Sequence, residues 1–267
     1  MNSSNLAGAS RIPLSLALVL TLALAGCATT AADPQAGDTP ATARQANPAD
    51  PFEPFNRNIY SFNTALDDAV IKPVATLYRD VTPALAREGV GNFFSNLGDA
   101  WSFLNNLAQG RGEGAYNSAV RFSVNTVLGI GGLLDIAGEM GVERRPQDFG
   151  LTLGRWGVPT GPYLVLPVLG SSTVRDTAAL PVDVKGNLLG YSHDMGARNS
   201  LTVLGLVDKR ARLLQAGEML DAVALDKYSL TRDVYLQRRD LRVQGDGGEN
   251  DDFADVDADA GMLPPEQ

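Results

Sequence analysis

The stretch that most constrains this chain is residues 149–170, FGLTLGRWGVPTGPYLVLPVLG, which is long and apolar and carries one charge, Arg155. A spanning helix is excluded. Gly150, Gly154, Gly157, Gly161 and Gly170, with Pro159, Pro162 and Pro167, would interrupt a helix at nearly every turn, each proline costing about 3 kcal/mol in a helix interior. The sequence therefore predicts two extended apolar arms, 151–158 and 163–169, around a turn at Pro159-Thr160-Gly161-Pro162. So much apolar surface needs covering by the protein's own helices or by lipid. Backbone groups in hydrocarbon must be paired, which favours a hairpin or a loop lining a protein-walled cavity. Two readings follow: a buried structural hairpin, or the wall or gate of an apolar ligand path.

The chain has 267 residues, enough for one large domain. Residues 1–26 read as a secretory signal, with Arg11 and then an apolar run too short for a membrane span. The run ends in Leu24-Ala25-Gly26-Cys27, which resembles a bacterial lipobox, cut before the cysteine and acylated on its sulfur. Cys27 is the one cysteine in the chain, so no internal disulfide forms and stability rests on packing. Several acyl chains give lasting attachment where one gives marginal binding. In lipoproteins of this kind an aspartate after the cysteine signals retention at the inner membrane. Here Ala28 follows, so the expected address is the outer membrane, facing the periplasm.

Residues 27–50 are rich in Ala, Thr, Pro, Asp and Gln without periodicity and read as a flexible lipidated tether. Residues 245–267 hold eight carboxylates and no Lys or Arg, and read as a disordered acidic tail. These eight account for nearly all of the formal charge of −9, and the part between, 51–244, has 20 basic and 20 acidic residues. A neutral domain gives no electrostatic case for nucleic acid or for a polybasic patch on anionic lipid. Asp255, Asp257, Asp259 and Glu266 partly match a calcium-loop template, but Ala260 replaces its turn glycine and Pro264 and Pro265 intrude. No metal site is expected.

The domain opens with Pro54 in a first helical turn and Phe55, Ile59, Phe62 and Leu66 along one face. Asn56, Asn58 and Asn63 lie off that stripe, either solvated or offering amides to polar headgroups. Lys72-Pro73 and Thr82-Pro83 each mark a helix start. After Pro83, Val90, Phe94, Leu97, Trp101, Leu104 and Ala108 form a wide apolar face opposite Asn92, Asn96, Asp99, Asn106 and Gln109. Such a stripe means either protein core or a membrane interface, though interfacial helices carry Lys or Arg opposite and this one does not. A helix is expected over 116–137, running into Gly129-Ile130-Gly131-Gly132, whose spacing matches neither a phosphate loop nor a dinucleotide fingerprint and points to close backbone packing or a helix break. Residues 201–244 read as two amphipathic helices.

Catalytic constellations are nearly absent. His193 is the one histidine, its neighbours Ser192 and Asp194 cannot form a relay by adjacency, and no Gly-x-Ser-x-Gly occurs. The chain is not expected to be an enzyme, and no cofactor is expected.

Taken together, the lipobox, Asp50-Pro51-Phe52-Glu53-Pro54-Phe55-Asn56-Arg57, Phe62-Asn63, Arg121-Phe122, the run 125–132, Asp135, Phe149-Gly150-x-Thr152-Leu153-Gly154, Gly157, Gly161-Pro162-Tyr163, Leu166-Pro167, Gly170-Ser171 and Arg175-Asp176 resemble the MlaA (VacJ) outer-membrane lipoproteins. The resemblance spans about residues 48–240. It implies a mainly α fold: a single helical ring-like domain, 51–244, in the inner leaflet of the outer membrane, with a Gly/Pro-rich apolar hairpin loop beside an amphipathic channel. The implied function is removal of mislocalised glycerophospholipid from the outer leaflet and its transfer to a periplasmic lipid-shuttle protein, typically while bound to an outer-membrane porin trimer, which maintains lipid asymmetry. Cys27 would be the lipid anchor; Asn58, Phe62 and Asn63 would control the channel, although Ser61 and Thr64 depart from the residues relatives often have there. Gly154, Gly157, Gly161 and Pro162 would serve as hinges of the hairpin gate. The competing reading is a structural or adaptor lipoprotein that organises partners without moving lipid.

Overall fold

The computed structural model describes residues 47–245. Cys27, the signal and tether sequences up to residue 46, and the acidic segment from 246 onward, including its calcium-like pattern, lie outside the described residues. The described part is mainly helical, with one two-stranded hairpin.

Helix α1 (Glu53–Leu66) starts with Pro54, whose missing N–H costs nothing in a first turn. It passes through a π-helical turn, Asp67–Ile71, into α2 (Lys72–Val81). The turn is explained by Pro73, whose ring would crowd the carbonyl four residues back in a regular helix. The chain widens instead, and the Lys72 N–H reaches the Asp67 carbonyl five residues back. Pro83 then precedes α3 (Ala84–Ala108), and both helix starts expected at prolines are found. A short turn through Gln109, Gly110 and Arg111 leads into α4 (Gly112–Val127), which packs along α3.

The helix expected over 116–137 ends earlier, at Val127. Gly129 forces the exit: a Cβ there would lie 2.2 Å from the Leu134 carbonyl, so the backbone folds tightly onto itself. The loop reaches the short α5 (Ile136–Glu139), and its Gly132 sits against Asn96 of α3, where a Cβ would be 2.6 Å from the carboxamide nitrogen. Close packing is the use of these glycines that the sequence analysis anticipated.

The stretch 149–170 departs from expectation. Its first arm is not extended: Phe149–Arg155 is a helix, α6, started by Asp148, whose carboxylate accepts the Leu151 N–H at 2.8 Å. The extended arm begins at Tyr163. Strand β1 (Tyr163–Leu166) pairs antiparallel with β2 (Gly170–Thr173), Tyr163 opposite Thr173, so the hairpin turn is Pro167-Val168-Leu169 rather than the expected 159–162. Tyr163 and Val165 point inward onto Tyr228, and the Tyr163 ring meets Tyr228 and Tyr235 edge to face.

Helix α7 (Val174–Gly186) is capped by Thr173, and a 3-10 turn, Leu188–Tyr191, follows. The last region holds three helices, not two: α8 (Met195–Arg212), α9 (Leu214–Val223) and α10 (Lys227–Gln244). The additional break falls at Leu213, which leaves the helical path and links α8 to α9.

Burial is inverted relative to a water-soluble protein. On α3 the fully buried positions are Gly91, Asn96, Asp99, Ser102, Asn105 and Asn106, while Leu104 is 51% exposed and Leu107 and Leu85 are also open. Trp101, Phe94 and Leu97 are half-buried. The apolar stripe read as core thus faces outward or sideways, and the polar stripe faces in. The pattern repeats on α1 and α2, where Phe55, Phe62, Val74, Leu77 and Val81 are exposed and Asn56 and Ala75 are buried. Among the described residues, no helix is long and apolar enough to cross a membrane.

Candidate functional site

The buried polar groups form a connected charged network between α3, α4 and the segment after α5. Asp99, 1% exposed, sits between two arginines: Arg121 Nε approaches one oxygen at 3.3 Å and Arg144 Nε the other at 3.1 Å. Arg121 also donates to the Val142 carbonyl at 2.8 Å and to Asp135 Oδ2 at 2.7 Å. Asp135 Oδ1 accepts from Asn125 Nδ2 at 2.8 Å and from the Gly138 N–H, starting α5. Burial raises the Asp99 carboxyl above the usual range, against the pull of Arg144 and Arg121. At Asp135 burial pushes the same way, but hydrogen bonds from Arg121, Asn125 and Gly138 outweigh it and hold the carboxyl below its ordinary value.

This network forms one wall of a cavity of about 650 Å³. Asn92, Phe94 and Ser95 of α3 line a second side, Arg121, Asp135, Glu143 and Arg144 another, and Thr202, Asp208, Lys209 and Arg212 of α8 close it. Arg212 crosses α3 at Gly91, where a Cβ would lie 1.5 Å from its Nη2. From there it donates to the Arg87 carbonyl at 2.8 Å and to Asp208 at 3.0 Å, and Tyr78 donates its hydroxyl to the other Asp208 oxygen. Burial, with Asp208 adding to it, pushes the Tyr78 phenol up to about 12. Lys209 is exposed at the cavity and makes no ion pair among the described residues. The volume falls within the ~300–1,000 Å³ of pockets that hold small organic ligands. Its mixed lining, cations and carboxylates beside Phe94 and Leu189, suits an amphiphile's polar end.

A smaller cavity of about 310 Å³ lies beside the hairpin, between Asn63, Val165, Gly170 and Ser171 on one side and α9 and α10 on the other. Asn63 is fixed there: its Nδ2 donates to the Leu166 carbonyl at 2.9 Å and its Oδ1 accepts the Val168 N–H at 2.8 Å.

The residues named from sequence do not gather at one place. Asn58 is exposed on α1, Phe62 is exposed beside it, and Asn63 holds the hairpin turn; none lines the larger cavity. Gly154 lies inside α6, where a Cβ would meet Arg175 Nη1 at 2.6 Å and Val243 at 2.7 Å. Gly157 and Gly161 have φ of +90° and +69° in the link from α6 to β1, and the Pro162 carbonyl accepts the Val174 N–H. His193 is exposed in the turn before α8 and touches neither cavity. Sequence reasoning assigned no role to Arg144, Asp208 or Lys209 and read Arg212 as part of a charged helix exterior, whereas it is half-buried against Gly91. The signal that could have found them was the clustering of charges on α8, opposite an α3 face rich in asparagine.

The family model for the MlaA lipoprotein matches residues 48–242. The intermembrane phospholipid transport system lipoprotein MlaA of Escherichia coli K12 is 36% identical over 234 residues, 86% of this chain and 88% of that protein. The protein of the same name from Haemophilus influenzae is 32% identical over 233 residues, 85% and 88% of the two chains. A solved structure described as the structural basis for maintenance of bacterial outer membrane lipid asymmetry superposes with a TM-score of 0.64 at 37% identity, covering 73% of this chain and 98% of that one. A match over most of the domain, at this identity and with the same helical fold, is not produced by one shared motif: the chain belongs to the MlaA lipoprotein family.

Proposed function

We propose that this protein is an outer-membrane lipoprotein that removes mislocalised glycerophospholipid from the outer leaflet, passes it to a periplasmic carrier and so maintains lipid asymmetry. The observation that carries this reading is the inverted burial: an apolar exterior around buried Asn, Asp and Arg, with a charged cavity of about 650 Å³ inside. Apolar side chains gain nothing by facing water, but they lie at ease in acyl chains, and polar groups turned inward give a headgroup its partners. Drawing an acyl chain through water would cost about 0.8 kcal/mol per methylene, which makes a shielded path necessary. In the cavity Lys209 meets a lipid phosphate, and Asp135 and Glu143 meet an ammonium group.

In this reading the domain lies in the inner leaflet as a ring-like body, held by acylated Cys27 at the end of the tether, and its exposed apolar side chains support that placement. An outer-membrane porin trimer and a periplasmic lipid-shuttle protein are its partners, and nucleic acid is not. Asp99, Arg121, Asp135 and Arg144 pair with one another, which supports passage rather than catalysis as the activity assigned, and no metal or cofactor is invoked.

The test is outer-leaflet phospholipid in intact cells of a deletion strain, complemented with the native protein, with Cys27→Ala or with Lys209→Glu. Deletion raises the signal, the native protein reverses it, Cys27→Ala fails, and Lys209→Glu restores it only in part. A leaflet unchanged by deletion would leave the adaptor lipoprotein as the reading.

A further inference from the structure

The charge balance of the domain breaks at the end of α10. Arg111, in the turn between α3 and α4, donates from Nη2 to the carbonyls of Arg242 at 3.0 Å and Val243 at 3.1 Å and so closes the last turn of that helix. Gly245, the last described residue, lies against the same guanidinium, 3.3 Å from the place a Cβ would occupy. Trp156, the neighbour of Arg155, donates from Nε1 to the Ala108 carbonyl at 3.0 Å and so brings the end of α6 to this turn. Burial lowers the Arg111 pKa, and Arg155, Arg145 and Arg242 lower it further. Three carboxylates answer part of this excess of cations: Arg145 pairs with Glu143 and with the exposed Glu113, and Arg242 acts on the Asp148 carboxylate. Arg155 is exposed and has no ion pair among the described residues.

The strongest anion in the chain starts one residue further on. Residues 246–267 carry eight carboxylates and no Lys or Arg, while the domain itself is neutral. A chain of 22 residues has a root-mean-square reach of roughly 25 Å, and such tethering gives an effective concentration in the millimolar range. At that concentration even weak carboxylate–guanidinium pairs are occupied, provided salt does not screen them.

We propose that the acidic segment 246–267 docks on the arginine cluster around Arg111 and Arg155, occupying an anion-binding surface at the root of α10 and withholding it from other anions. An anionic partner or a headgroup phosphate then has to compete with the tail for this face. The tail, not lipid, is the resident occupant, because it is covalently held beside the cluster and matches its charge.

The experiment uses the full lipidated chain in neutral detergent, with Ala258→Cys carrying a bimane fluorophore. With Cys27 acylated, the introduced thiol is the one free sulfhydryl, and exposed Trp156, next to Arg155, quenches bimane on contact. At about 10 mM salt, where the Debye length is near 30 Å, emission is expected to be quenched relative to the same protein with Trp156→Phe. Raising salt to about 1 M, where that length is near 3 Å, restores it, as do Arg155→Glu and the tail variant Asp255→Asn/Asp257→Asn/Asp259→Asn. The Arg155 side chain makes no hydrogen bond or ion pair among the described residues, so Arg155→Glu removes no side-chain contact of that kind from the fold. Emission indifferent to salt and to both variants overturns the proposal. So does emission that changes only on adding phosphatidylglycerol vesicles, which would assign the cluster to headgroup phosphate.

Discussion

The Asn56 side chain hydrogen-bonds strand β1 as a neighbouring strand would: its Oδ1 accepts the Val165 N–H at 2.9 Å and its Nδ2 donates to the Tyr163 carbonyl at 3.0 Å. Two helical turns later Asn63 repeats the pairing on Leu166 and Val168. Helix α1 thereby helps close the free edge of the two-stranded sheet, where the Tyr163 N–H also donates to the Ala49 carbonyl at 2.8 Å. Asn56 is fully buried and also binds Asp50, so Asn56→Ala strands several buried groups and is expected to cost about 3 kcal/mol. Asn63→Ala, at the partly open turn, should cost about 1 kcal/mol while increasing amide exchange at Val168. Denaturant midpoints and exchange rates in detergent check both; equal losses would mean that the two amides do not divide the work in this way.

The inverted burial of α3 gives a second expectation. Leu104 is half exposed and Asn106 is fully buried, bonded to Ser118 and to the Arg145 carbonyl. In an ordinary soluble domain Leu→Gln on the apolar face would be the damaging change. Here Leu104→Gln should shift stability in detergent by about 0.5 kcal/mol or less, whereas Asn106→Leu, which removes the partner of buried polar groups, costs about 2–3 kcal/mol. Thermal melts of the two variants decide it, and the reverse order would return the apolar stripe to a protein core.

The ion pairs set the pH response. Burial tends to raise the Asp148 carboxyl, but Arg239 and the Leu151 N–H outweigh it and hold it low, and the hydrogen bond from Arg57 does the same at Asp226. A depressed carboxyl stabilises the fold above the unfolded value of about 4, and that stability is lost as pH falls through the folded value. Asp99 opposes this, since its raised pKa makes its own contribution less favourable as pH rises from about 4. At the alkaline end, Tyr78 keeps its proton to about 12 in the fold, while the unfolded chain releases it near 10. Stability should therefore be flat near neutrality and fall both below about 4 and between about 10 and 12. Urea midpoints across this range test it: Asp148→Asn should flatten the acid limb and Tyr78→Phe the alkaline one.

How far the sequence led can be judged from particular residues. Pro54, Pro73 and Pro83 announced three helix starts because a proline's lost N–H is harmless only there. The inward face of α3 was not legible, since helical periodicity separates apolar from polar sides without telling water from lipid. Nor was α6. Gly150 reads as a breaker, yet a Cβ there would come within 2.6 Å of Asp176 and 2.7 Å of Arg239, so the glycine is spent on letting a charged cluster approach the helix. That approach joins residues far apart in sequence, which no local pattern records. The cavity charges were hidden for the same reason: Asp99, Arg121, Asp135 and Arg144 become one network only through the packing of α3 on α4.

The hairpin hinge is the last expectation, and the structure sharpens how it should be tested. Gly154 cannot serve as a clean probe, because a methyl there strikes Arg175 and Val243 and would disturb packing whatever the hinge does. Gly157 has φ of +90° with open space around its Cβ position, and Gly161 has φ of +69° with Val174 3.2 Å away. Alanine at either site meets backbone strain of about 1–2 kcal/mol rather than a major clash. The strain favours conformers in which the link turns away from its present path. If residues 156–162 bend when the hairpin moves, Gly157→Ala/Gly161→Ala should leave a folded, membrane-bound protein that no longer restores lipid asymmetry in the deletion strain. Pro162→Ala, which keeps the carbonyl that accepts from Val174 but frees φ, should alter transport less. Full restoration of asymmetry by the double glycine variant would show that the hairpin works as a fixed wall, held by Asn56 and Asn63, and not as a gate.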